Sequence, residues 1–137
     1  MIPGLNVPRG GYLMGLGIDV VDVERIRRVT ERQGERFLKR VYTEEERAYC
    51  FGMKHPHKHL AARFAAKEAV SKAFTTGIGA RLGWTSVSVY NGERGEPHVR
   101  FDERGVALLE EVGAKRVWVS LSHTDTLAQA VAALLRD

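Results

Sequence analysis

The apolar positions change period several times along the chain, and each change marks an element. From Met14 to Val21 the run M-G-L-G-I-D-V-V is apolar and β-branched, which predicts a strand. Asp22 stands as an N-cap before a helix that carries Val23, Ile26 and Val29 toward a core and is interrupted at Gly34. A second helical piece groups Phe37, Leu38 and Val41. Thr43-Glu44-Glu45-Glu46 fits a capping box, with Thr43 at the N-cap and Glu46 at the third helical position, opening a short helix through Tyr49. Phe51 to His59, punctuated by Gly52 and Pro56, reads as a loop. Leu60 to Thr75 is the longest amphipathic helix, closed at Gly77. W-T-S-V-S-V-Y alternates as a strand, N-G-E-R-G-E signals a hairpin, and P-H-V-R-F returns as its partner. Asp102 caps a helix that ends at Gly113, and Lys115 to Ser122 forms another strand. Leu127 to Leu135 is rich in alanine, but its alternation and the preceding T-D-T turn favour a strand. A strand, a group of helices, two strands, a helix and two strands, in that order, predict an α+β domain.

Composition narrows the class. The chain has 137 residues, 44% of them hydrophobic, enough for one domain with its own core. The first thirteen residues hold two prolines and three glycines and have no apolar core behind a charged start. They read as a flexible extension (residues 1–13) to a single domain (residues 14–137), not as a signal peptide. No apolar run nears the roughly 20 residues that span a bilayer, so no membrane partner is expected. Cys50 is the one cysteine. It can form no internal disulfide, and the reading is cytoplasmic. The net charge of +4 suggests an acidic or phosphorylated partner. A basic nucleic-acid-binding module is the rival reading; against it, there is no cluster of aromatics for base stacking and no helix-turn-helix pattern.

Some residues resist a purely structural account. Asp19 lies inside an apolar strand run, where a carboxylate is costly unless it is paired, binds a metal or sits at a strand end in water. Glu68 and Lys72 are one turn apart, either as a surface ion pair or as part of a site. Arg63 and Lys67 read as a solvated helix face or as cations near that site. Two carboxylates from different elements with cations nearby suit a divalent ion and a phosphate, because Mg²⁺ takes one or two protein carboxylates and leaves its other positions to water and phosphate oxygens. His123 follows a strand, either as a structural or surface residue or as an imidazole available for acid–base work or phosphate contact. His55, His57 and His59 alternate around Pro56, without cysteines at zinc-ligand spacing. Arg25, Arg28 and Arg32 fall in one stripe of the first helix beside Val29, either a solvated basic face or a dock for an acidic helix.

Three segments together resemble the holo-[acyl-carrier-protein] synthases, the short type of 4′-phosphopantetheinyl transferase. They are G-L-G-I-D-V-V-D-V-E-R-I at 15–26, R-F-A-A-K-E-A-V-S-K-A-F at 63–74 followed by T-G-I-G, and S-L-S-H-T-D-T-L-A-Q-A-V-A at 120–132. The resemblance implies that family's fold, a small antiparallel sheet packed with a long central helix and shorter helices. It implies transfer of the 4′-phosphopantetheine arm of coenzyme A to a serine of apo acyl carrier protein, in fatty acid biosynthesis, with adenosine 3′,5′-bisphosphate released. By the same resemblance, Asp19 and Glu68 hold Mg²⁺ and Lys72 contacts the diphosphate, these three being the catalytic set. Arg63, Gly77, Ile78 and His123 contact coenzyme A, and Arg25, Val29 and Arg32 dock the carrier protein, with Arg28 added from the stripe. A long type of transferase carries two such halves in one chain with the site between them, so a single copy implies a homotrimer with sites at its interfaces. The sequence departs from the family at Thr75, where glycine is usual.

Overall fold

The computed structural model of the protein describes residues 11–137. In chain order these form β1 (Tyr12–Asp22), α1 (Val23–Gln33), α2 (Glu35–Val41), α3 (Glu44–Phe51), α4 (Pro56–Ala73), β2 (Val87–Asn91), β3 (Pro97–Phe101), α5 (Glu103–Val112), β4 (Arg116–His123) and β5 (Leu127–Arg136). β1, β5 and β4 make one antiparallel sheet in that spatial order, and β2 and β3 make a separate hairpin. The α+β architecture expected from the order of elements is therefore present, with the strands divided between two sheets. No helix among the described residues is long and apolar enough to cross a membrane.

Small residues decide how closely α4 lies on the sheet. Gly15 and Gly17 face the helix, and a Cβ on Gly17 would stand 1.8 Å from the Ala69 carbonyl oxygen. One on Gly15 would stand 2.2 Å from that of Ala73. The helix answers with Ala65, Ala69 and Ala73, and β5 with Ala128, Ala130 and Ala132, all buried. Register carries the pattern across the sheet: Gly17 pairs with Ala132, Asp19 with Ala130 and Val21 with Ala128. Leu60, Ala61, Ala62, Ala66 and Val70 are buried as well, because α1, α3 and β2 wrap the sides of α4 that the sheet leaves open. The helix is thus a central one rather than a surface amphipathic one.

Boundaries shift where local chemistry is stronger than periodicity. α4 starts at Pro56, four residues before the expected start, because proline fits the first turn, where its missing N–H breaks no helical bond. The expected loop is thus shortened to the residues before Pro56. Trp84–Ser86 is a 3-10 turn, so β2 begins three residues later than alternation predicts. β1 begins at Tyr12, which pairs with Arg136; the rest of the expected extension, residues 1–10, lies outside the described residues. The capping box at Thr43 forms as expected, with Glu46 N–H donating to Thr43 Oγ1 at 3.3 Å and Thr43 N–H donating to Glu46 Oε1 at 2.9 Å.

Candidate active site

The close approach of β1 to α4 brings Asp19 to Lys72. Lys72 Nζ donates to Asp19 Oδ1 at 3.1 Å and to the Ile18 carbonyl oxygen at 2.9 Å. Glu68, one turn back on α4, is half-buried at the same edge. Burial first, then the charge of Asp19, raises its carboxyl above the usual carboxylate range, while Lys72 and Arg25 pull it back. The three residues expected to act together therefore converge, and Arg25 of α1 reaches the same field. Two carboxylates that oppose each other's charge form a donor set that fits a hard divalent cation using one or two protein carboxylates. Among the described residues no group of three or more His, Cys, Asp or Glu side chains gathers as a cage.

The loop after α4 carries Gly77 and Ile78, both half-buried. Thr76 and Gly77 N–H groups close the helix end on the Ser71 carbonyl, at 3.2 and 3.3 Å. Thr75 holds φ at 65°, a left-handed conformation that costs a β-branched residue about 1–3 kcal/mol and glycine little. Threonine at this position thus accepts strain that glycine would avoid.

Arg63 and Lys67 contradict the solvated-face reading. Arg63 is 2% exposed and Lys67 is fully buried. Lys67 Nζ pairs with Glu46 Oε1 at 2.7 Å and donates to the Trp84 carbonyl at 2.9 Å and to that of Val87. Glu46 Oε2 accepts from Val89 N–H at 2.9 Å. The pair ties α3, α4 and β2 together inside the core. Nothing in the sequence linked Glu46 to Lys67; the capping box had already given Glu46 a role.

Arg63 points away from Glu68, about 140° round the helix at 3.6 residues per turn. Its guanidinium donates to Asn91 Oδ1 at 2.6 Å and lies 4.2 Å from the Tyr49 ring centre, while its Nε is buried without a partner. Tyr49 meets His59, and His59 meets His123, with ring centres 5.9 and 5.2 Å apart. Arg63 and His123, both expected at the nucleotide, thus belong to one wall, which is joined by Tyr49 and His59. That wall lies on the opposite side of α4 from Glu68, since His59 and Glu68 differ by nine positions, about 180° of helix. Near the start of α4, Arg27, Lys54, His55 and Lys58 surround a hollow of about 240 Å³ with Asp125.

On α1, Arg25, Arg28 and Arg32 are exposed in a stripe, and Val29 is half-buried against the core. The outer face of β1 is apolar and open. Leu16, Ile18 and Val20 are 60%, 55% and 55% exposed, with Val131 opposite Ile18 at 42%.

Residues 15–133 match the 4′-phosphopantetheinyl transferase superfamily, and the chain belongs to it. A holo-[acyl-carrier-protein] synthase of Chlamydia trachomatis is 48% identical over 120 residues, covering 88% of this chain and 98% of the relative. The crystal structure of the Neisseria meningitidis synthase superposes with a TM-score of 0.85 at 32% identity, covering 90% of this chain and 98% of that one. The synthase of Bacillus anthracis, solved in complex with coenzyme A (3′,5′-ADP), gives 0.76 at 32% identity, covering 91% and 98%.

Proposed function

We propose that the chain transfers the 4′-phosphopantetheine group from coenzyme A to a serine of apo acyl carrier protein and releases adenosine 3′,5′-bisphosphate. The convergence of Asp19, Glu68 and Lys72 at the β1–α4 edge carries this reading. The serine oxygen attacks the phosphorus that bears the pantetheine arm, and the bond from that phosphorus to the bridging oxygen breaks. Lys72 leaves Asp19 for the diphosphate and neutralises charge there. Glu68, directly or through a water, takes the serine proton; a carboxyl held above its usual range is a better base for that task. Asp19 and Glu68 would hold Mg²⁺, which supplies charge stabilisation at the bridging oxygen and orients the diphosphate. Gly77 and Ile78 line the approach from the helix end. Fatty acid biosynthesis and the cytoplasm are the expected setting.

The acidic cluster and the His123 wall lie on opposite sides of α4, which favours a site built by two copies, one giving each side. The apolar outer face of β1 and β5 is the surface a second copy covers, since a contiguous exposed apolar patch marks an interface; the reading is a homotrimer. Arg25, Arg28 and Arg32 face an acidic helix of the carrier protein. The basic hollow at Lys54, His55 and Lys58 suits the nucleotide phosphates.

The test is incubation with apo acyl carrier protein, coenzyme A and Mg²⁺, followed by intact mass measurement. The carrier is expected to gain one phosphopantetheine. An unchanged mass, with a carrier that a known transferase does load, overturns the reading.

A further inference from the structure

We propose that His59 is a positioning residue for the nucleotide half of the site, where its imidazole holds the ring of His123 in the orientation that meets coenzyme A. The inference rests on the reading of His123 as a coenzyme A residue. His123 ends β4 and is exposed. An exposed side chain at a strand end has several staggered rotamers open to it. Among the described residues its ring neighbour is His59, at 5.2 Å between centres and 71° between planes, the edge-to-face arrangement that aromatic pairs prefer.

His59 is itself held. It is half-buried on α4, and Tyr49 meets it edge-on at 5.9 Å and 80°. Tyr49 carries the Arg63 guanidinium on its face, and Arg63 is anchored to Asn91 of the hairpin. An unbroken series of contacts runs from β2 through α4 and α3 to the exposed end of β4. The alternation His55, His57, His59 separates accordingly: His55 opens to the basic hollow, His57 lies in the field of Arg27, Glu31 and Glu24 of α1, and His59 reaches His123. Burial first, then His123, Arg63 and Lys58, keeps His59 below the usual imidazole range, so it packs as an uncharged ring at neutral pH.

The test compares His59→Ala, His59→Phe, His123→Ala and the double variant His59→Ala/His123→Ala by steady-state kinetics. His59→Ala should raise the KM for coenzyme A about three- to tenfold, the worth of one ring–ring contact, with kcat and the KM for carrier protein unchanged. His59→Phe keeps a flat ring and should stay within about twofold of the wild type. The double variant should be no worse than His123→Ala alone, because His59 acts through His123. Additive losses, or a wild-type KM for His59→Ala beside an impaired His123→Ala, overturn the proposal alone. A wild-type KM for His123→Ala removes the reading of His123 and this inference with it. A KM that follows Tm equally in His59→Ala and His59→Phe reduces the role to packing and also overturns it.

Discussion

Two lysines on α4, five residues apart, each pair with an acid from another element, and the pairs differ in almost everything else. Lys67 and Glu46 are both 0% exposed, and Lys67 makes three contacts to oxygen, so its charge has no donor left for a ligand. Lys72 is 50% exposed at its side chain and Asp19 18%, and Lys72 rests on one carboxylate and one carbonyl. Similar chemistry becomes a structural tie when it is saturated and enclosed, and stays free to meet a ligand when it is open to solvent and crowded by a second carboxylate, Glu68. The sequence of α4 alone does not tell the two lysines apart; what distinguishes them is which neighbour each one meets.

The largest effect expected from breaking this contrast falls on stability. Glu46→Ala leaves Lys67 charged and buried without its partner and should cost about 3–5 kcal/mol, read as a lowered midpoint in urea. The capping box adds to the loss, since Glu46 also accepts from Thr43 N–H. Asp19→Ala or Glu68→Ala should instead leave the midpoint near that of the wild type and lower kcat/KM by about 10²–10³-fold. If Asp19→Ala unfolds the protein as Glu46→Ala does, the open pair is structural and the contrast fails.

Much of this was legible along the chain, and the rest had physical reasons to be hidden. The G-L-G of β1 shows only that a strand tolerates glycine there; that Gly17 is required follows from the Ala69 carbonyl pressed against it. Asp19 could be flagged because a carboxylate in an apolar run needs a reason. The solvated-face alternative for Arg63 and Lys67 rests on charge predicting exposure, and it fails because here α3 and β2 supply enough partners to bury both. The alternation of β5 survived its alanines because the strand buries one face against α4. Pro56 suggests a loop, although at the first helical position proline is a starter. The alternation of His55, His57 and His59 is visible in the sequence, but nothing in it points to His123, which lies on a strand more than sixty residues away.

Lys72→Ala sharpens the comparison at the next scale down. Stability should change by less than about 1 kcal/mol, as for an exposed pair. Affinity for coenzyme A should fall about tenfold or more, the worth of one hydrogen bond to a charged group, measured by calorimetry. An unchanged affinity would leave Lys72 as a partner of Asp19 and nothing else.

The smallest expected effect is at Glu68, and its sign is opposite to that at Glu46. Glu68 has a folded pKa raised above its unfolded value, so its carboxyl adds stability below the unfolded value, and that stability is lost as pH rises through the folded one. Ionised Glu68 therefore works against the fold at neutral pH in divalent-free buffer. Glu68→Gln should raise Tm slightly at pH 7, with the gain shrinking as pH falls through the raised folded value and gone below the usual carboxylate range, where the wild-type carboxyl is protonated in both states. Glu46→Gln, which removes the charge that Lys67 is buried against, should lower Tm at the same pH. A fall in Tm for both would mean that Glu68, like Glu46, is satisfied inside the fold; burial and the neighbouring charge of Asp19 would then not be the forces acting on it.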